Sequence, residues 1–244
     1  MGIKEDLREG LASLARLFSG EKLICAACGR DLFADGYFCA ECLRTLPFND
    51  GATCAFCGRA TAEEVPACIE CKADAPLFDR AASAFRYEGE IVRLVRRFKT
   101  GERRLAKPFA FCMRKALEKL PPADFLVFVP MTKEAERRRG YNQARLLAQE
   151  LSALTGIPTE ESVLEKTRET SAQKELSARE RMKNMRGCFH VHERKKCRGR
   201  SVLLVDDVLT TGATASAAAY ALRFAGAAKV YVLTVASVAQ KKGL

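Results

Sequence analysis

Eight of the eleven cysteines in this 244-residue chain fall into four Cys-x-x-Cys pairs: Cys25/Cys28, Cys39/Cys42, Cys54/Cys57 and Cys68/Cys71. Ten residues separate the first pair from the second and ten the third from the fourth, and the second half repeats the first at an offset of 29 residues. Gly29-Arg30 returns as Gly58-Arg59. Two residues between cysteines let a tight knuckle aim both thiolates at one ion, and a glycine after the second cysteine permits the turn. A segment with so few large apolar residues needs such a staple to fold. The repeat therefore predicts a double zinc ribbon. Each four-thiolate set closes a tetrahedron with no open position, so two structural zinc ions are expected. Sequential pairing within each repeat is the reading adopted; spacing alone leaves open an interleaved one, first pair with third. Cys112, Cys188 and Cys197 stand alone and read as small core or surface residues.

Met1 to Ser19 mixes Lys4, Glu5, Asp6, Arg8 and Glu9 with Leu7, Leu11, Leu14 and Leu17. This is the pattern of an amphipathic helix, without the charged-then-apolar order of an export signal. No apolar run approaches the roughly 18 residues of a membrane span, so no membrane association is expected. A cytoplasmic location follows, where cysteines point to metal rather than disulfides. With 48% apolar residues, the chain has room for one α/β domain of ordinary size and a small module. The expected organisation is a helix over 1–21, the double ribbon over 22–75 and the body over 76–244. Residues 1–79 carry 8 Lys+Arg against 13 Asp+Glu, net −5, whereas residues 80–244 carry 33 against 17, net +16. A basic body suits a polyanion, either nucleic acid or a phosphorylated small molecule; a solvated basic surface is the plainer alternative.

Along the body, Arg80–Tyr87 reads as a strand and Glu90–Lys99 as a helix whose stripe is Ile91, Leu94, Val95 and Phe98. A helix is expected over Leu105–Leu120, a fully apolar buried strand over Phe125–Pro130, and a helix over Asn142–Leu154. Short strands follow at Ser162–Leu164 and Gly187–Val191. Ser201–Val205 is the next buried strand, Thr214–Ala225 a helix and Lys229–Val235 the last clear strand. Strands alternating with helices predict a parallel sheet covered on both faces.

The segment Val202-Leu-Leu-Val-Asp-Asp-Val-Leu-Thr-Thr-Gly-Ala-Thr214 carries the chemistry. In open α/β sheets the ligand sits beyond the carboxyl ends of the strands. Asp206 and Asp207 stand at that end, where two carboxylates accept hydrogen bonds from a vicinal diol. Thr210, Thr211, Gly212, Ala213 and Thr214 then turn into a helix whose first N–H groups and hydroxyls favour an anion. Diol acceptors followed by an anion cradle meet the needs of a ribose 5-phosphate. Two exposed acids before a helix cap are the bland alternative.

This segment resembles the 5-phosphoribosyl 1-pyrophosphate (PRPP) motif of the type I phosphoribosyltransferases. A second block, Val129-Pro-Met-Thr-Lys and then Arg137-Arg-Arg-Gly-Tyr-Asn-Gln-Ala-Arg-Leu-Leu-Ala148, is similar to the signature of the ComF family, with Tyr141 where Phe is frequent. A third block from Thr167 to Phe189 and the cysteine-rich segment resemble that family as well. The resemblance implies a type I phosphoribosyltransferase fold: an α/β body with a parallel sheet flanked by helices, plus a small N-terminal double zinc ribbon. It implies Mg²⁺–PRPP as ligand and a link to natural competence, imported DNA and other competence proteins. The ribose would meet Asp206 and Asp207, and the 5-phosphate Thr210–Thr214. The pyrophosphate would meet a loop of Met131, Thr132 and Lys133 with donors from Arg137, Arg138 or Arg139. Asn142 and Gln143 cap a helix or bind ligand. Lys166–Arg186 corresponds to a flexible loop over the reaction, or to exposed helices. His190 and His192 have no partner visible in the sequence and read as structural.

Two functions are thus expected. The leading one is transfer of the phosphoribosyl group to a nucleophile with release of pyrophosphate, and no segment reads as a pocket for a particular acceptor. The other is a PRPP- or nucleotide-sensing module that binds single-stranded DNA without turnover, with Phe98 and Tyr141 the aromatics nearest basic clusters.

Overall fold

A computed structural model describes residues 24–32, 36–168 and 187–239. The expected helix over 1–21 and all but the first three residues of Lys166–Arg186 lie outside the described residues. The chain divides into two compact units, Met1–Leu46 and Pro47–Leu244. The first holds one cysteine repeat and the helix α1 (Ala40–Thr45). The second holds the other repeat, with α2 (Ile69–Ala73), and the whole body. Compactness thus groups the second repeat with the body, where repetition in the sequence groups it with the first.

Among the described residues the body is a four-stranded, all-parallel sheet in the order β1-β6-β5-β2. Its strands are β1 (Arg80–Arg86), β2 (Phe125–Phe128), β5 (Ser201–Leu209) and β6 (Lys229–Ser237). Val202, Leu203, Leu204 and Val205 are fully buried in β5, as an apolar run in a sheet covered on both faces must be. Between β1 and β2 lie α3 (Gly89–Lys99) and α4 (Ala106–Leu117). The α3 stripe Ile91, Leu94, Val95 and Phe98 is buried as its spacing requires. After β2 come α5 (Lys133–Arg139) and α6 (Gln143–Thr155), and α4 and α6 pack on each other and on the sheet. The alanine-rich α8 (Ala213–Phe224) links β5 to β6 and packs over both, its small side chains allowing close approach. No helix among the described residues is long and apolar enough to cross a membrane.

Three expectations change. The short strands β3 (Leu164–Lys166) and β4 (Phe189–Val191) do not join the parallel sheet. They pair antiparallel with each other, Leu164 opposite Val191, and the short α7 (Arg194–Cys197) follows. The strand at 201 continues four residues past Val205 because β6 runs beside it, with Asp206 opposite Thr234 and Leu209 opposite Ser237. Finally, the segment from Lys133 to Arg139 is helical rather than a loop and basic turn. Thr132 caps it by accepting from the Ala135 N–H at 3.3 Å, and Gly140, at φ 82°, ends it.

Candidate functional site

Each set of four cysteines comes together in the sequential arrangement. Cys25, Cys28, Cys39 and Cys42 form one group and Cys54, Cys57, Cys68 and Cys71 the other, with the ligand atoms of each group within 4.8 Å of one another. A tetrahedral zinc with Zn–S near 2.3 Å requires sulfurs about 3.8 Å apart. The recorded separations are 3.8 Å for Cys28–Cys39, 3.9 Å for Cys54–Cys71 and 3.7 Å for Cys57–Cys68. Backbone amides support the sulfurs, Cys39 N–H donating to Cys25 Sγ at 3.3 Å and Cys68 N–H to Cys54 Sγ at 3.2 Å. Such donors stabilise thiolates, so both groups fit zinc in geometry and in chemistry. Gly29 and Gly58 turn their knuckles at φ 76° and 65°. Of the three lone cysteines, Cys188 and Cys197 are buried and Cys112 is partly so.

The second candidate site lies at the carboxyl ends of β2 and β5. Val129 N–H donates to Val205 O at 2.9 Å, which carries the chain after β2 out beside Asp206 and Asp207. Both aspartates lie within the last four residues of β5, and successive strand residues face opposite sides of the sheet. The Asp206 carboxylate folds back to accept the Asp207 N–H at 2.8 Å, and Asp207 Oδ2 lies 3.1 Å from Lys99 Nζ. Burial, then the adjacent Asp207 charge, push the Asp206 carboxyl up to about 7. Lys99 went unnoticed in the sequence because a basic residue in a helix's last turn reads as an ordinary partner of the helix dipole.

Beyond Leu209 the chain makes its turn at Gly212, which sits left-handed at φ 84° and caps α8 without a side-chain hydrogen bond. A Cβ there would meet only Leu209 and Phe78, at 3.9 Å, so it is the backbone conformation that calls for glycine. Thr210, Thr211 and Ala213 are exposed, Gly212 and Thr214 partly so. Thr211 Oγ1 accepts from the Ala213 N–H at 3.3 Å. The N–H groups of Thr211 and Gly212 donate to no group among the described residues. Arg59, from the second cysteine repeat, donates through Nη2 to the Thr210 carbonyl.

Of the residues expected around a pyrophosphate, only Met131 and Thr132 remain in a loop. Lys133 begins α5 and lies 3.6 Å from Glu165. Arg137, Arg138 and Arg139 fill its last turn, all exposed. Arg139 alone is recorded turning back to the loop, with Nη1 3.8 Å from Met131 Sδ while donating to Gln143 Oε1 at 2.9 Å. Asn142 is a cap: it accepts the Arg145 N–H and donates to Val129 O, both at 3.1 Å, which ties α6 to the end of β2. Phe98 and Tyr141, the expected stacking aromatics, are core residues, and the Tyr141 hydroxyl donates to Phe98 O. His192 has a carboxylate partner that the sequence hid, Glu165 on the facing strand at 2.8 Å, while His190 packs edge-on to it. A pocket of about 440 Å³ lies elsewhere, between β4 and the end of α8, lined by Phe189, Val191, Arg194, Tyr220 and Phe224.

Comparison with known proteins adds to this geometry. Residues 137–244 match the phosphoribosyl transferase domain family. Competence protein F of Haemophilus influenzae is 36% identical over 149 residues, covering 57% of this chain and 64% of that protein. The DNA utilization protein YhgH of Escherichia coli is 38% identical over 109 residues, 45% of this chain and 47% of its own length. Competence protein ComFC of Bacillus subtilis is 29% identical over 143 residues, 57% and 56% of the two chains. The chain thus spans between 47% and 64% of the length of these curated relatives.

Proposed function

We propose that the chain is a ComF-family protein with a phosphoribosyltransferase fold, as its similarity to the phosphoribosyl transferase domain family and to the competence proteins supports, and that it binds PRPP and transfers its phosphoribosyl group, releasing pyrophosphate. The observation that carries this reading is the pairing of two carboxylates near the carboxyl end of β5 with a Gly212 turn whose Thr211 and Gly212 N–H groups have no acceptor among the described residues. Asp206 and Asp207 take the ribose diol. Thr210–Thr214 take the 5-phosphate, where the dipole of the twelve-residue α8 adds to the N–H donors. Met131, Thr132 and the returning Arg139 face the pyrophosphate, with Lys133, Arg137 and Arg138 supplying positive potential around it.

The transition state develops oxocarbenium character at C1 as the leaving pyrophosphate gains charge. The protein's part is to fix the sugar, stabilise the leaving group and keep water out. Magnesium accompanying PRPP would neutralise phosphate charge. Among the described residues no cluster of three or more carboxylates stands ready for it, and the aspartate pair fits an ion held mainly by substrate oxygens and water. The two cysteine groups hold structural zinc. We place the protein in the cytoplasm, and its action in competence and DNA utilization, the terms in its relatives' names. The +16 charge of residues 80–244 favours a second reading, a PRPP-responsive single-stranded-DNA binder without turnover.

Pyrophosphate release from PRPP, followed across bases, nucleosides and single-stranded DNA, separates the two readings: turnover with any acceptor favours transfer, and binding without turnover favours the sensor. Gly212→Val imposes a branched side chain on a left-handed residue. It should weaken PRPP about tenfold or more, roughly 1.4 kcal/mol, in a folded protein. Unchanged affinity in that variant would remove the phosphate assignment.

A further inference from the structure

Arg59 follows the knuckle glycine of the second cysteine repeat, where Arg30 follows that of the first. The Arg30 side chain is 66% exposed and pairs with Glu41. Arg59 is only 7% exposed. One of its guanidinium nitrogens lies 3.9 Å from Glu70, the repeat equivalent of Glu41, and the other donates to the carbonyl of Thr210, 151 residues away. Its Nε has no hydrogen-bond partner among the described residues. A buried guanidinium with one distant carboxylate is costly to keep, and a purely structural ribbon does not require it, since the first repeat closes the same knuckle with its arginine in water.

The Thr210 contact supplies a reason. A trans peptide is planar, and its C=O and N–H point in opposite directions. Holding the Thr210 carbonyl on Arg59 therefore turns the Thr211 N–H away from the ribbon, toward the open side of the loop. That N–H is one of the two without an acceptor among the described residues. The turn that orients Arg59 is the cysteine knuckle itself, with Cys54 N–H donating to Arg59 O at 3.0 Å and Gly58 N–H to Cys54 O at 2.9 Å. A cation behind the loop also raises the potential where an anion would sit.

We propose that Arg59 is a positioning residue for phosphate binding: the second metal ribbon reaches through it to the Thr210–Thr211 peptide and presets the N–H that receives the 5-phosphate. The proposal rests on assigning Thr210–Thr214 to that phosphate.

The test is calorimetric titration of the full chain with PRPP and with ribose 5-phosphate, for wild type, Arg59→Ala, Arg59→Lys and Arg30→Ala, with zinc measured in each. Arg59→Ala should lose about tenfold on both ligands, the scale of one hydrogen bond to a charged group, while keeping its zinc. Arg59→Lys, which can still donate to Thr210 O, should recover most of the loss, and Arg30→Ala should match wild type. In NMR spectra, ribose 5-phosphate should move the Thr211 amide proton downfield in wild type and Arg59→Lys, and much less in Arg59→Ala. Wild-type affinity in Arg59→Ala overturns the proposal, as does an equal loss in Arg30→Ala. Loss of zinc from Arg59→Ala, without rescue by lysine, reduces the residue to a structural part of the ribbon and also overturns it. If wild type binds neither ligand, the phosphate reading itself fails, an outcome distinct from the others.

Discussion

The two cysteine repeats are near copies in their metal geometry and unlike in their surroundings. The same knuckle bond closes both, Cys25 N–H to Arg30 O at 2.7 Å and Cys54 N–H to Arg59 O at 3.0 Å. Yet all four cysteines of the second set are buried, while Cys28 is exposed and Cys39 and Cys42 are half-buried in the first. The second repeat is fastened along β1: Ala81 N–H donates to Phe56 O at 2.7 Å, and buried Asn49 donates to both Gly58 O (2.8 Å) and Ser83 Oγ (2.9 Å). The two repeats share what zinc demands of the chain. Outside the coordination sphere the two copies differ, and the second is part of the same compact unit as the body.

The largest expected effect follows from that difference. Intact protein should contain two zinc ions per chain, and Cys25→Ser or Cys54→Ser should each reduce this to one by elemental analysis. Structural zinc contributes about 10 kcal/mol or more to the folding of such motifs. Losing it should unfold each ribbon locally. Cys54→Ser should then lower PRPP affinity at least about tenfold, by releasing Arg59 from Thr210. Cys25→Ser, in the separate Met1–Leu46 unit, should leave PRPP affinity unchanged. Equal losses in the two variants would break the comparison.

A smaller, sterically defined effect comes from the knuckle glycines. Both have left-handed φ, so alanine is strained in either by about 1 kcal/mol. A Cβ on Gly29 meets nothing within 4 Å, whereas one on Gly58 would stand 2.3 Å from the Ala81 carbonyl oxygen, a backbone atom that cannot rotate aside. Gly58→Ala should therefore cost about 3 kcal/mol or more and Gly29→Ala about 1 kcal/mol, read from denaturant midpoints. Similar costs would mean that the second ribbon shifts off β1 easily.

Much of this is written locally and was legible for that reason. Cysteine spacing dictates the thiolate sets, the apolar run Val202–Val205 dictates a buried strand, and a glycine among threonines marks the turn at 212. Asp206 and Asp207 concealed the strand's true end, because aspartate is depleted in strands and only pairing with β6 keeps them extended. The helix Lys133–Arg139 carries charge all round, so no apolar stripe announced it. Arg59–Thr210 and Glu165–His192 join residues 151 and 27 apart. Such contacts are products of the tertiary fold, beyond the reach of periodicity or spacing.

The smallest effect is electrostatic and sharpens the comparison furthest. Glu41 and Glu70 occupy equivalent repeat positions, each beside the arginine of its own knuckle. The Arg30–Glu41 pair is more than half exposed on both sides. Solvent screens it, and Glu41→Gln should leave the denaturation midpoint within experimental error. Around Arg59 the medium is less polar, and Glu70→Gln removes the one carboxylate recorded beside a buried guanidinium while keeping nearly the same shape. At 3.9 Å, with Glu70 30% exposed, the expected loss is modest, about 1 kcal/mol. Salt gives the discriminating measurement. If Glu70 acts through its charge, the difference between wild type and Glu70→Gln should shrink as salt rises but persist at high salt, because a partly buried pair is screened less than an exposed one. PRPP affinity should hold or rise slightly in Glu70→Gln, since the Thr210 carbonyl no longer shares the guanidinium with an anion. A fall in affinity as large as that of Arg59→Ala would mean instead that Glu70, and not the Thr210 carbonyl, determines where the guanidinium points.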